Sequence, residues 1–163
     1  MSFLQRTGEL KFAAALVVAL AISACAKAPA EPDALASGRA TPGSPRDFAV
    51  NAGDRVFFDN DSSELSQTAQ TTLAKQVSWL QQYGRYNFTV EGHADERGTR
   101  EYNFALGARR AETTKDYLVA RGIPAARIRT ISYGKERPVA TCNDISCWAQ
   151  NRRAVTVLTG GQS

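Results

Sequence analysis

Residues 86–120 read YNFTVEGHADERGTREYNFALGARRAETTKDYLVA, and the fold is decided there. Tyr86-Asn-Phe-Thr-Val90 alternates apolar and polar side chains, the period of a strand with one buried face. Glu91-Gly-His-Ala-Asp-Glu-Arg-Gly98 is polar, ends in glycine and reads as a loop. From Glu101 to Ala120 the period changes. Leu106, Arg110, Thr114 and Tyr117 or Leu118 recur at spacings of four, four and three or four, which lays them along one face of a helix. Gly122 and Pro124 close that helix.

The flanking sequence supplies the remaining elements. Arg55-Val-Phe-Phe58 is a short β-prone run that stops at the turn formers Asp59-Asn-Asp-Ser-Ser63. Ser66 can cap a helix carrying Ala69, Leu73, Val77 and Leu80, with Gly84 as its stop. Arg127–Tyr133 and Ala154–Leu158 read as two further strands. This order predicts an α+β, two-layer βαβαβ-type sandwich: a small four-stranded mixed sheet with two main helices on one face. Residues 47–160, about 114 in number, suffice for one core.

The chain start is of another kind. Arg6 and Lys11 precede the apolar run Phe12–Ile22, too short to cross a hydrocarbon core, which takes roughly 20 residues of helix. Small residues follow it, and residues 1–24 therefore read as a cleaved export signal. Residues 26–46, AKAPAEPDALASGRATPGSPR, hold four of the six prolines and only Leu35 as a sizeable apolar side chain. They cannot bury a core, so residues 25–46 read as a flexible tether.

Composition excludes several classes. Lys and Arg number 20 against 16 Asp and Glu, a net +4 spread along the chain, which gives no prior for nucleic acid. One His and three Cys leave too few ligands for a zinc ribbon or a multi-ligand metal site. An apolar content of 43% is too high for a disordered chain.

Five motifs follow in order across residues 54–158: Val56-Phe-Phe-Asp-Asn-Asp-Ser-Ser-Glu-Leu65; Glu91-Gly-His-Ala-Asp-Glu-Arg-Gly-Thr99; Tyr102-Asn103 with Leu106 and Arg109-Arg-Ala111; Ser132-Tyr-Gly-Lys-Glu136; and Asn151-Arg-Arg153. Together they resemble the OmpA-like C-terminal domain family, in the form carried by peptidoglycan-associated lipoproteins. Ile22-Ser-Ala-Cys25 resembles the lipobox of the same group. The resemblance implies that Cys25 is acylated and that cleavage precedes it, and Ala26 points to the outer membrane, with the domain facing the periplasm. It implies noncovalent peptidoglycan binding within the Tol system, which maintains the envelope and constricts the outer membrane at division. A periplasmic β-propeller protein of that system is the implied partner, on a surface overlapping the wall-binding groove.

A guanidinium on the apolar stripe of the 101–120 helix is costly unless paired and hydrogen-bonded. Asp95 and Glu96 are its candidate partners, and the residues alone leave open whether Arg110 bridges loop to helix or belongs to a site. The resemblance implies a site. In that family the Asp of Gly-His-Ala-Asp and the Arg before the Ala of Arg-Ala hold the side-chain end of diaminopimelate, and those positions are Asp95 and Arg110 here. The chemistry suits them, since that end carries an ammonium for an anion and a carboxylate for a planar donor fork. Asn103, Asp59 and Arg153 match further groove positions, and Tyr102 and Leu106 are expected in the pocket wall or the core.

With Cys25 acylated, Cys142 and Cys147 remain, and an exported protein lives where disulfides persist. A local bridge is expected; a metal clip is the alternative, but nothing nearby supplies its other ligands. His93 is expected to order the end of its strand. No cofactor and no catalysis are expected. A peptidoglycan-cleaving enzyme is the alternative function, and it needs a metal pair or an activated nucleophile that the sequence does not display. A nucleic-acid binder using Arg97, Arg100, Arg109 and Arg110 is opposed by Asp95, Glu96, Glu101 and Glu112 among them.

Overall fold

Helix α3, Arg100–Ala120, lies directly on strand β2, Asn87–His93, because two glycines meet there. A Cβ on Gly92 would stand 1.8 Å from the Gly107 carbonyl oxygen, and one on Gly107 would stand 2.4 Å from Ser132 Oγ. No side chain fits between the two backbones, so both positions require glycine. That contact places Arg110, one turn further along α3, over the C-terminal end of β2.

The computed structural model describes residues 40–160. Cys25, the expected signal segment and the tether up to residue 39 lie outside the described residues. Strands β1 (Arg55–Phe57), β2, β3 (Ile128–Gly134) and β4 (Arg153–Thr159) form one sheet in the order β1-β4-β2-β3. β2 and β3 are parallel, joined through α3, while β4 runs antiparallel to both β1 and β2. Helix α2 (Gln67–Gln82) and α3 carry the side chains that close the core, among them Leu73, Leu80 and Leu118 against Phe88 and Val90. Ser66 caps α2 through Ala69 N–H at 3.2 Å, and Thr99 caps α3 through Tyr102 N–H at 3.2 Å. This is the mixed four-stranded sandwich that the hydrophobic periods imply.

Three features depart from the sequence reading. β2 continues past Val90 to His93, since Gly92 lets the strand pass beneath α3. Ordered contacts precede the expected edge at residue 47: Ser44 N–H donates to Thr41 O at 3.0 Å, and the Gly43 carbonyl accepts from Tyr86 Oη at 2.7 Å and from Arg85 Nη2 at 2.6 Å. The short helix α1 (Pro45–Asp47) and the turn Phe48–Gly53 follow, fixed by Trp79 Nε1 donating to Asp47 at 2.7 Å. Helix α4, Ile145–Asn151, stands where only a connection was expected. It is a short helix whose start is set by Asp144 accepting from Ser146 N–H at 2.8 Å.

Candidate functional site

Two loops and the first turns of α3 enclose a groove of about 300 Å³ lined by Asn60, Asp61, Asp95, Arg97, Tyr102 and Asn103, with Leu106 at its base. One loop links β1 to α2, the other β2 to α3. Asn103 Nδ2 donates to the carbonyls of Arg97 at 2.6 Å and Thr99 at 3.0 Å, which curls the second loop over the helix start. The loops are tied together by Arg97 donating to the Asn60 carboxamide oxygen and by Tyr102 Oη donating to Asp61. Asp61 adopts φ 55°, the left-handed region that Asp tolerates better than most residues.

Asp95 and Asn103 are thus brought to the groove. The Asp95 carboxylate meets Arg97 side-on, with Oδ1 3.0 Å from Nε and Oδ2 2.7 Å from Nη2. Burial pushes its pKa up, but the hydrogen bonds and charge of Arg97, helped by Arg152, hold it below the usual carboxylate value.

Arg110 lies on the buried stripe of α3, but its partners are not the expected carboxylates. It is 0% exposed, and its donors go to backbone carbonyls rather than to Asp95 or Glu96. Nε donates to Ser62 O at 2.8 Å, Nη1 to His93 O at 2.8 Å and Nη2 to Asp59 O at 3.2 Å. The guanidinium lies 5.2 Å from the Phe58 ring centroid. Burial, with Arg152 adding to it, lowers its pKa to about 10, so it stays charged at neutral pH. Arg110 therefore does not line the groove; it pins the β1–α2 loop to the end of β2 from below the surface. Three of its five N–H groups are used, leaving two for another acceptor.

Asp59 and Arg153 do not line this groove. Asp59 gives its carbonyl to Arg110 and borders a neighbouring cavity of about 560 Å³. Arg153 donates to the carbonyls of Asn151 at 3.3 Å and Arg137 at 3.2 Å. Its neighbour Arg152 is the one that approaches Asp95, from outside the groove lining: Nη1 lies 3.4 Å from Asp95 Oδ2, and Nε donates to Phe58 O at 3.1 Å.

Trp148 is a residue that sequence reasoning passes over, and Arg97 enters it only as a nucleic-acid contact. Cys142 and Cys147 are joined, with Cα atoms 5.8 Å apart, and fix the start of α4. Trp148 then donates from Nε1 to Glu96 Oε1 at 2.5 Å, and the Arg97 guanidinium lies 4.2 Å from its ring centroid. No spacing rule links positions 97 and 148.

His93 is 2% exposed, and neither ring nitrogen has a hydrogen-bond partner. It stacks on Tyr133 at 5.6 Å, and Nε2 stands 3.6 Å from Glu91 Oε2. Burial lowers its pKa to about 4, with Arg153, Arg137 and Arg55 adding to the effect. The imidazole is therefore neutral in the fold. An unfolded His titrates near 6.5, so the stability this depression reflects is complete above about pH 6.5 and is lost as pH falls to about 4. The loss should reach roughly 3 kcal/mol across that window. Urea unfolding at stepped pH should show it, and His93→Phe should flatten the curve between pH 6.5 and 4. Among the described residues no group of three or more His, Cys, Asp or Glu could hold a metal ion.

Comparison with known proteins bears on this geometry. The OmpA family matches residues 57–152. The peptidoglycan-associated lipoprotein of Rhizobium meliloti (strain 1021) is 61% identical over 154 residues, covering 91% of this chain and 88% of the relative. That of Agrobacterium fabrum is 55% identical over 166 residues, covering 98% and 94%. The crystal structure of the peptidoglycan-associated lipoprotein from Burkholderia pseudomallei superposes with a TM-score of 0.67 at 36% identity, over 71% of this chain and all of that one. The C-terminal domain of Helicobacter pylori MotB, at 21% identity and a TM-score of 0.62, shares the fold.

Proposed function

The chain belongs to the OmpA family, and we propose that it is an outer-membrane-anchored lipoprotein that holds peptidoglycan noncovalently through the diaminopimelate of the stem peptide. The observation that carries this reading is the groove lined by the anion Asp95, with the cation Arg110 buried behind the β1–α2 loop that borders it. The free end of diaminopimelate is a zwitterion. Its ammonium goes to Asp95, and its carboxylate takes the two remaining N–H groups of Arg110 once the Asp59–Ser62 segment shifts aside. The His93 carbonyl, outside that segment, keeps hold of Nη1 while it moves. Asn103 keeps the Asp95 loop in place, and Arg152 beside Asp95 completes the charge set.

Cys25 carries the anchor in this reading. Three acyl chains, at about 0.8 kcal/mol per buried CH₂, hold a protein on a membrane durably. The tether lets the domain stand in the periplasm and reach the wall. There it works with the Tol system, its β-propeller partner competing with the wall for one surface, to keep the envelope intact and draw the outer membrane inward at division.

The protein binds the wall and does not cut it. Pelleting with purified diaminopimelate-type sacculi tests both halves of that statement. The expected result is protein in the pellet and no soluble muropeptides after prolonged incubation. Released fragments would establish the cleaving enzyme instead.

A further inference from the structure

Asp95 has no acceptor position free. Oδ1 takes Arg97 N–H at 3.2 Å and Nε at 3.0 Å, and Oδ2 takes Arg97 Nη2 at 2.7 Å and Arg152 Nη1 at 3.4 Å. A carboxylate offers about four lone-pair sites, so an ammonium can reach Asp95 only by displacing a donor. Arg152 is buried and is held a second time by the Phe58 carbonyl at 3.1 Å. The Arg97 side chain also donates to the Asn60 carboxamide oxygen, but it is 42% exposed and lies in the groove lining, where water can replace both of its partners. Arg97 is the donor that can leave.

We propose that Arg97 is a built-in counter-ion occupying the ammonium position on Asp95, and that Trp148 is the positioning residue that holds it there. The proposal rests on the reading of Asp95 as the ammonium acceptor. Trp148 offers its ring to the guanidinium at 4.2 Å, and its own place is fixed by the Glu96 hydrogen bond and by the disulfide at the adjacent Cys147. A side-on guanidinium–carboxylate pair stacked on an indole resists a lone monocation. A ligand must bring further contacts, such as a carboxylate beside its ammonium, to open it. Arg97 thus acts as a specificity filter: it raises the threshold for simple amines and leaves the zwitterion as the ligand that passes.

The test measures binding to diaminopimelate-type sacculi for four variants, with melting temperature taken on the same preparations. Arg97→Gln should bind roughly two- to fivefold more tightly than the wild-type protein, since the exposed competitor is gone. Trp148→Ala should shift affinity the same way by a smaller factor, and Trp148→Phe, which keeps an aromatic face, should return to the wild-type value. A general structural role for Trp148 would instead lower melting temperature and binding together. Unchanged or weaker binding by Arg97→Gln, with Asp95→Asn still abolishing binding, overturns the proposal and leaves the site reading standing. Wild-type binding by Asp95→Asn overturns both.

Discussion

Replacing Arg110 with alanine should destabilise the domain by roughly 3–5 kcal/mol, the range found when one member of a buried charged network is removed. The guanidinium joins Asp59, Ser62 and His93 through their carbonyls, and it is wholly buried. Its removal leaves three acceptors without their donor, at about 1–3 kcal/mol for each that water cannot reach. It also empties the space of one of the largest fully buried side chains. Arg110→Lys should recover little, because a single ammonium cannot span three carbonyls set around a planar fork. Urea unfolding midpoints with unchanged slope would record the loss. Because the β1–α2 loop also lines the groove, wall binding should fall in the same variants even at temperatures where they remain folded. A variant with the wild-type midpoint would show that the three carbonyls find other donors, and the structural part of the account would fail.

The architecture was legible because it rests on periods. The alternation at Tyr86–Val90 and the four-residue spacing of Leu106, Arg110 and Thr114 survive in the structure as β2 and α3. The sheet order could not be read from those periods, since strand neighbours are set by long-range pairing. Helix α4 was missed because a short helix held by a cap and a disulfide has no hydrophobic stripe to announce it.

The candidate site was legible in part. A charged residue on an apolar stripe signalled that Arg110 must be compensated, and the structure compensates it with backbone carbonyls, groups every sequence carries invisibly. Asp95 and Asn103 line one groove. Arg152, which caps the end of α4 just before β4, and not Arg153 reaches Asp95. Arg97 and Trp148 meet only because α4 folds back over the β2–α3 loop.

Asp95 carries the central claim. Asp95→Asn keeps the side chain's size and removes its charge, so the ligand ammonium loses its counter-ion while Arg152 and Arg97 repel it. Losing one partner of a desolvated charge pair typically costs about 2–5 kcal/mol, or a factor of roughly 30 to several thousand in affinity. Since burial and Arg97 together leave Asp95 below the usual carboxylate value, the wild-type residue is fully ionised at neutral pH and the whole effect should be visible there. Arg152 also loses a buried partner, so the variant's melting temperature must be read beside its binding. The most direct measurement is equilibrium pelleting of wild-type and Asp95→Asn domains with diaminopimelate-type sacculi at neutral pH, at a temperature where both are folded. The account predicts that the wild-type protein pellets and the variant stays in solution. A folded Asp95→Asn domain that pellets with wild-type affinity would contradict it.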